Sequence, residues 1–128
     1  IDSSKSYAYV AEGVGGIAVI QISPLNSIIR IKEMKTNLND CRGICVSNGK
    51  LFVADDKFGM AIFSLSNPAS PSFIGKTSSW TGTALDVFSI GDHAYVANGL
   101  NGLSMVDISN PSAPSVVKTV DTPGLALD

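Results

Sequence analysis

A 43-residue repeat constrains this chain more than any other feature. Ala8-Tyr-Val-Ala-Glu-Gly-Val-Gly-Gly-Ile17, Leu51-Phe-Val-Ala-Asp-Asp-Lys-Phe-Gly-Met60 and Ala94-Tyr-Val-Ala-Asn-Gly-Leu-Asn-Gly-Leu103 begin at 8, 51 and 94 and align without a gap. The register holds downstream: Ile22-Ser23, Leu65-Ser66 and Ile108-Ser109 coincide, then Asn67-Pro68 with Asn110-Pro111, then Pro71 with Pro114. Periods of about 40–45 residues built from short strands are the pattern of propeller blades, four antiparallel strands to a blade. The expected fold is all-β, with repeats at about 1–42, 43–85 and 86–128 as one three-blade unit. Ala84-Leu85-Asp86 returns as Ala126-Leu127-Asp128, so joining the end to the start would close a third period of 42 residues. On that reading the innermost strand of one blade is divided between the termini.

Each blade reads as a four-strand meander. The innermost strands are expected at 43–47 and 85–90, short, apolar and rich in β-formers, each followed by a tight Asn48-Gly49 or Gly91-Asp92 turn. Second strands follow at 7–11, 51–54 and 94–97, and third strands at 17–22, 60–65 and 103–108. Between second and third strand, the loops 12–16, 55–59 and 98–102 all end in glycine at one register, which predicts a positive φ or a close approach there. Asn-Pro-x-x-Pro at 67–71 and 110–114 predicts a corner, because proline has no donor for a ladder and presets a turn. The first repeat keeps only Pro24, which predicts a looser corner at 24–28. Outer strands are expected at 29–34, 73–77 and 116–120. An amphipathic helix competes at 28–35, but the proline and β-branched residues of the other two copies favour a strand.

Composition narrows the class of work. Of 128 residues 16% are charged and the net charge is −2, which is no cationic face for nucleic acid. Apolar runs are too short for a membrane helix, and no cationic segment followed by an apolar stretch opens the chain. Membrane insertion is therefore not expected, and Ile1 in place of methionine is compatible with a removed leader. Cys41 and Cys45, four apart in what reads as one strand, would lie about 13 Å apart, beyond the disulfide limit of about 7 Å. They read as small buried hydrophobes.

With Tyr-Val-Ala, Gly-Leu/Ile, Val-Asp-Ile-Ser-Asn-Pro-Ser-x-Pro and Thr-Pro-Gly-x-Ala in order, the third repeat resembles the LVIVD repeat, and the resemblance extends over the whole chain. It implies a β-propeller, an extracellular or cell-surface home, and a parent with more repeats. It carries over no catalytic residue. Pro24 to Ile28, without Asn-Pro-x-x-Pro, and Asp55-Asp56-Lys57, where the other copies have x-Gly-x, depart from the pattern.

Few residues are candidates for chemistry. His93, the only histidine, reads as a solvent-facing turn residue rather than a base. In a propeller, the loop after the second strand and the connection between blades share a face, so Glu12, Asp55, Asp56 and Asn98 are expected to ring that face, with Asp40, Arg42 and Asp86 nearer the channel. Oxygen ligands in a ring suit Ca²⁺, yet the repeats do not repeat the acid, and the expected cofactor is none. Trp80 lies in the connection 78–82 on that face, either as a partner contact or as a plug in the seam between blades.

Three blades leave two open ends. A blade is apolar on both faces, so each end would expose about 400–500 Å² of apolar surface, on the order of 10 kcal/mol at about 25 cal/mol/Å². Further repeats would cover them, or other copies of this chain arranged head to tail, giving six blades from a dimer or nine from a trimer; the dimer ranks slightly higher. The preferred function is a non-enzymatic scaffold that closes a ring by self-assembly and presents loops to a protein or glycan. One alternative is a Ca²⁺-dependent hydrolase or lactonase-like enzyme acting through Glu12, Asp55 and Asp86 in the channel. The other is a segment or engineered piece of a larger propeller, with assembly as its only activity.

Overall fold

The computed structural model describes residues 6–23, 28–122 and 124. The fold is all-β, in three antiparallel sheets of three, four and four strands. The first blade holds β1 (Tyr7–Ala11), β2 (Ile17–Gln21) and β3 (Ile29–Met34) in that order. The second holds β4 (Gly43–Ser47), β5 (Lys50–Ala54), β6 (Met60–Ser64) and β7 (Ser72–Lys76). The third holds β8 (Asp86–Ile90), β9 (His93–Ala97), β10 (Leu103–Asp107) and β11 (Ser115–Val120). Each expected strand is present within a residue or two of its expected bounds, including β3 where a helix competed. The divided innermost strand and the corner at Pro24 lie outside the described residues.

Strand alternation makes the blades stack. On β5 and β6, Leu51, Val53, Ala61 and Phe63 point to the first blade and join Tyr9, Ile17 and Val19 in one core cluster. Phe52, Ala54, Met60 and Ile62, one residue out of step, point the other way and meet Val87, Ala94, Val96 and Val106 of the third blade. The second blade is thus apolar on both faces because Leu51 to Ala54 and Met60 to Phe63 are apolar at every position, as burial on two sides requires.

Turn chemistry fixes the meander. Asn48 and Gly49 both have positive φ, 51° and 69°, the two-residue hairpin geometry that Asn-Gly favours. Both described proline corners close with a backbone bond over three residues, Ser70 N–H to Asn67 O at 3.0 Å and Ala113 N–H to Asn110 O at 2.9 Å. Each corner packs on the preceding blade: at 67–71 the Tyr9 hydroxyl donates to Pro68 O and Lys32 Nζ to Ser70 Oγ, both at 2.7 Å, and at 110–114 Pro111 and Ser112 lie against Gly75.

The register glycines Gly16, Gly59 and Gly102 have φ of 85°, 85° and 87°. A Cβ there would strike the Met34 carbonyl, the Thr77 hydroxyl or the Val120 carbonyl of the outer strand, so both expected reasons for glycine hold at once. Gly16→Ala is expected to cost about 2–3 kcal/mol from strain and the displaced carbonyl. Gly49→Ala, also at positive φ but with nothing within 4 Å, should cost only about 1 kcal/mol. Urea midpoints of the two variants measure the difference; equal losses would mean that packing at Gly16 is not tight.

Candidate functional site

The loops after the second strands are built alike. Residues 12, 55 and 98 each donate a backbone N–H to the register glycine's carbonyl, at 2.8, 2.7 and 2.7 Å. The next residue is left-handed in all three, Gly13 at 59°, Asp56 at 51° and Gly99 at 55°. Aspartate tolerates that conformation better than most side chains, so the departure at Asp56 changes no geometry. These left-handed residues pair with the connection to the following blade: Gly13 bridges Cys41, and Asp56 bridges Ala84.

The side chain at the first loop position holds the connection arriving from the preceding blade. Asp55 is fully buried. Its carboxylate accepts the backbone N–H of Asp40 at 2.7 Å and of Asn39 at 3.0 and 3.1 Å, with Lys76 Nζ 3.7 Å away. Asn98, 2% exposed, uses its amide nitrogen to donate to Thr81 O at 3.0 Å and Ser104 Oγ at 2.9 Å. Register makes these the same device. Aspartate stands where the connection offers N–H groups, asparagine where it offers a carbonyl.

Glu12 is the third member and holds no described connection. It pairs instead with Arg30 on β3, at 2.6 and 2.8 Å, and Arg30 also reaches Glu33 at 3.0 Å. Glu12 foremost, then Glu33, holds the Arg30 guanidinium charged well above its ordinary range. Lys35 and Arg30 hold Glu33 below the usual carboxylate range.

The remaining expected residues take separate places. Arg42 is exposed and forms ion pairs with Asp40 at 3.1 Å and Asp56 at 3.6 Å. Asp86 accepts from the Val87 N–H at 2.9 Å and lies against Gly43 at the start of β4, where a Cβ would meet it at 2.7 Å. Trp80 packs against the second core cluster and over Gly59, in the seam between the second and third blades. Its indole nitrogen and Asn98 Oδ1 are buried without a hydrogen-bond partner among the described residues, and both residues line a cavity of about 100 Å³ with Ser104 and Thr119. His93 begins β9, half-buried. Cys41 and Cys45 are free thiols; Cys41 sits just before β4 rather than within it, and burial, with Asp55 and Asp40 nearby, pushes its pKa up to about 12.

Among the described residues no three His, Cys, Asp or Glu side chains converge as metal ligands would, and no helix is long and apolar enough to cross a membrane. Arg30, Asn39, Ser104 and Thr119 escaped the sequence reading. The polar residue common to 12, 55 and 98 was the available signal for the clamps, though not for their partners.

The family model described as the LVIVD repeat matches the chain three times, at residues 2–36, 40–78 and 81–122. Among solved structures, a candidate 6-phosphogluconolactonase from Bacteroides fragilis is similar with a TM-score of 0.74 at 8% identity. That likeness covers 97% of this chain and 39% of the other, so the chain spans well under half of its structural neighbour. No curated protein matches.

Proposed function

Since the chain belongs to the LVIVD-repeat family and its repeats form β-propeller blades, we propose that it is a non-enzymatic scaffold whose two end faces are covered by further copies of itself in a closed ring, presenting its loops to a protein or glycan. A cell-surface setting follows from the family likeness alone.

One observation carries this reading: positions equivalent by repeat are buried at the two internal junctions and bare at the ends. Val53 and Val96 are fully buried, whereas Val10, in the same register on the first blade, is 46% exposed. Ile17 and Met60 are fully buried, whereas Leu103 on the third blade is 41% exposed. These two faces therefore carry the two halves of a junction the chain already makes twice, which favours a further blade of the same kind, from another copy or from a longer chain, over an unrelated cover. Tyr95 on the third blade even repeats Tyr9, whose hydroxyl bonds the next corner. Exposed Val14, Phe58 and Leu100 at the three loop tips support presentation to a partner.

The enzymatic alternative takes some support from the lactonase name of the Bacteroides fragilis neighbour. It needs Asp55 as a ligand, and that carboxylate is engaged by backbone amides in a site without exposure. Light scattering after size exclusion tests the scaffold reading. The expected mass is two or three chains, falling on dilution; a single chain at every concentration would end the ring reading.

A further inference from the structure

The blades differ most at one polar register. Glu12, Ala18 and Glu33 in the first blade, Asp55, Ala61 and Lys76 in the second, and Asn98, Ser104 and Thr119 in the third hold equivalent positions. The last two of each set pair directly across the third and outer strands, so they share a face. Charge closes the first two sets: Arg30 bridges Glu12 and Glu33, and Lys76 stands 3.7 Å from Asp55. The third set is short and neutral. Asn98 Nδ2 donates to Ser104 Oγ, and the Ser104 and Thr119 hydroxyls bond each other, both at 2.9 Å. With threonine where the second blade has the long stem of Lys76, the cavity of about 100 Å³ beside Trp80 stays open.

Two side chains lining that cavity keep a buried group without a partner among the described residues, Asn98 its Oδ1 and Trp80 its indole N–H. Asn98 is itself only 2% exposed. Buried polar groups are as a rule hydrogen-bonded, and one acceptor with one donor fits a hydroxyl, which accepts and donates through a single atom. Thr81 and Thr119 line this cavity and also an adjoining depression of about 400 Å³, with Leu100, Asn101 and Asp121. That volume is in the range of small-molecule sites. No cation lines either space, so an anion is disfavoured. Hydroxyls, amides and one carboxylate beside Leu100, 78% exposed, match a ring that carries neighbouring hydroxyl groups and a C–H face.

We infer that the seam between the second and third blades is a saccharide site, in which one sugar hydroxyl meets the Trp80 N–H and Asn98 Oδ1 while Asn101 and Asp121 hold the rest of the ring in the depression. This rests on the reading that the loops are presented to a glycan, names where on the chain the sugar binds, and does not depend on ring closure. Only the third blade offers the site. In the second, both Asp55 oxygens are engaged by the Asn39 and Asp40 amides, and alanine at 61 supplies no hydroxyl.

Trp80 is the only tryptophan, so the single indole signal in a proton–nitrogen correlation spectrum reports on this cavity. Glucose, galactose and N-acetylglucosamine are titrated as probes, with trimethylamine N-oxide as the control for bulk solvent. The indole signal and the Leu100 and Thr119 amides are expected to move together and saturate with at least one sugar, and not with the control. Asp121→Ala, at an exposed position, should weaken that binding about tenfold, the loss of a hydrogen bond to a charged group. Trp80→Phe keeps a ring over Gly59 but removes the donor, and should weaken it about fivefold, followed on the two amides. Melting curves check that both variants fold. If sugars move other loops and leave these signals still, or if Asp121→Ala binds as wild type does, the glycan reading stands and this site falls. If no sugar moves any signal to saturation, the site and the glycan reading fall together, and an indole N–H in contact with solvent protons alone marks an internal water.

Discussion

Asp55→Ala is expected to lower stability by about 3–5 kcal/mol, the usual cost of removing one partner from a buried charged network. Asp55 accepts the Asn39 and Asp40 amides and lies beside Lys76, all without exposure of its own. Alanine leaves two N–H groups without their buried acceptor and Lys76, a quarter exposed, without its counterion. A chain of this size should lose about 10–15 °C in melting temperature, and amide exchange at Asn39 and Asp40 should accelerate more than at Val53. Asp55→Asn should lose about half as much, because one oxygen and an NH₂ group replace two acceptors. The reciprocal Asn98→Asp should also destabilise, since it would set a carboxylate against the Thr81 carbonyl. An Asp55→Ala loss under about 1 kcal/mol would mean that the amides find other partners and that the clamp is incidental.

Leu103→Glu is expected to abolish assembly while leaving the single chain folded. Leu103 is 41% exposed, and its register equivalents Ile17 and Met60 are fully buried at the internal junctions. Glutamate there meets water in the free chain, so the melting temperature of dilute protein should move by less than about 2 °C, as surface substitutions do. In a closed junction the same carboxylate would be buried without a partner, costing several kcal/mol, so association should weaken by a factor of about a hundred or more. Val10→Glu, on the opposite end face, should do the same. Mixing the two variants should restore one junction and yield a dimer that grows no further, because a head-to-tail contact uses one face of each kind. Unchanged assembly of Leu103→Glu would show that the blade faces are not the contact.

Strand order, blade limits and the glycine loops were legible because they are local or periodic. A 43-residue register with Asn-Gly turns and Pro corners leaves few ways to arrange short strands. The Asp55 clamp was half legible: a polar residue at 12, 55 and 98 announced a role, but suggested a solvent-facing ring. What misled was exposure, because a carboxylate at a hairpin tip is ordinarily solvated, and here the connection from the preceding blade folds over it. Trp80 had two places open to it in the sequence, partner face or seam, and the space above Gly59 decided for the seam.

By itself, then, the sequence determined the repeat, the four-strand blade, the two-faced apolar strands and the left-handed loop positions, all consequences of backbone sterics and side-chain period within one repeat. Tertiary structure alone decided which polar groups meet: Asp55 with the amides of 39 and 40, Asn98 with Thr81, Glu12 with Arg30. Those partners lie 15 to 18 residues away: the stacking of sheets turns a backbone donor toward Asp55 and a carbonyl toward Asn98, while strand pairing within the first blade brings Arg30 to Glu12. Identical register therefore leads to three different pairings, because the chemistry of a clamp is set by the neighbouring segment it closes on.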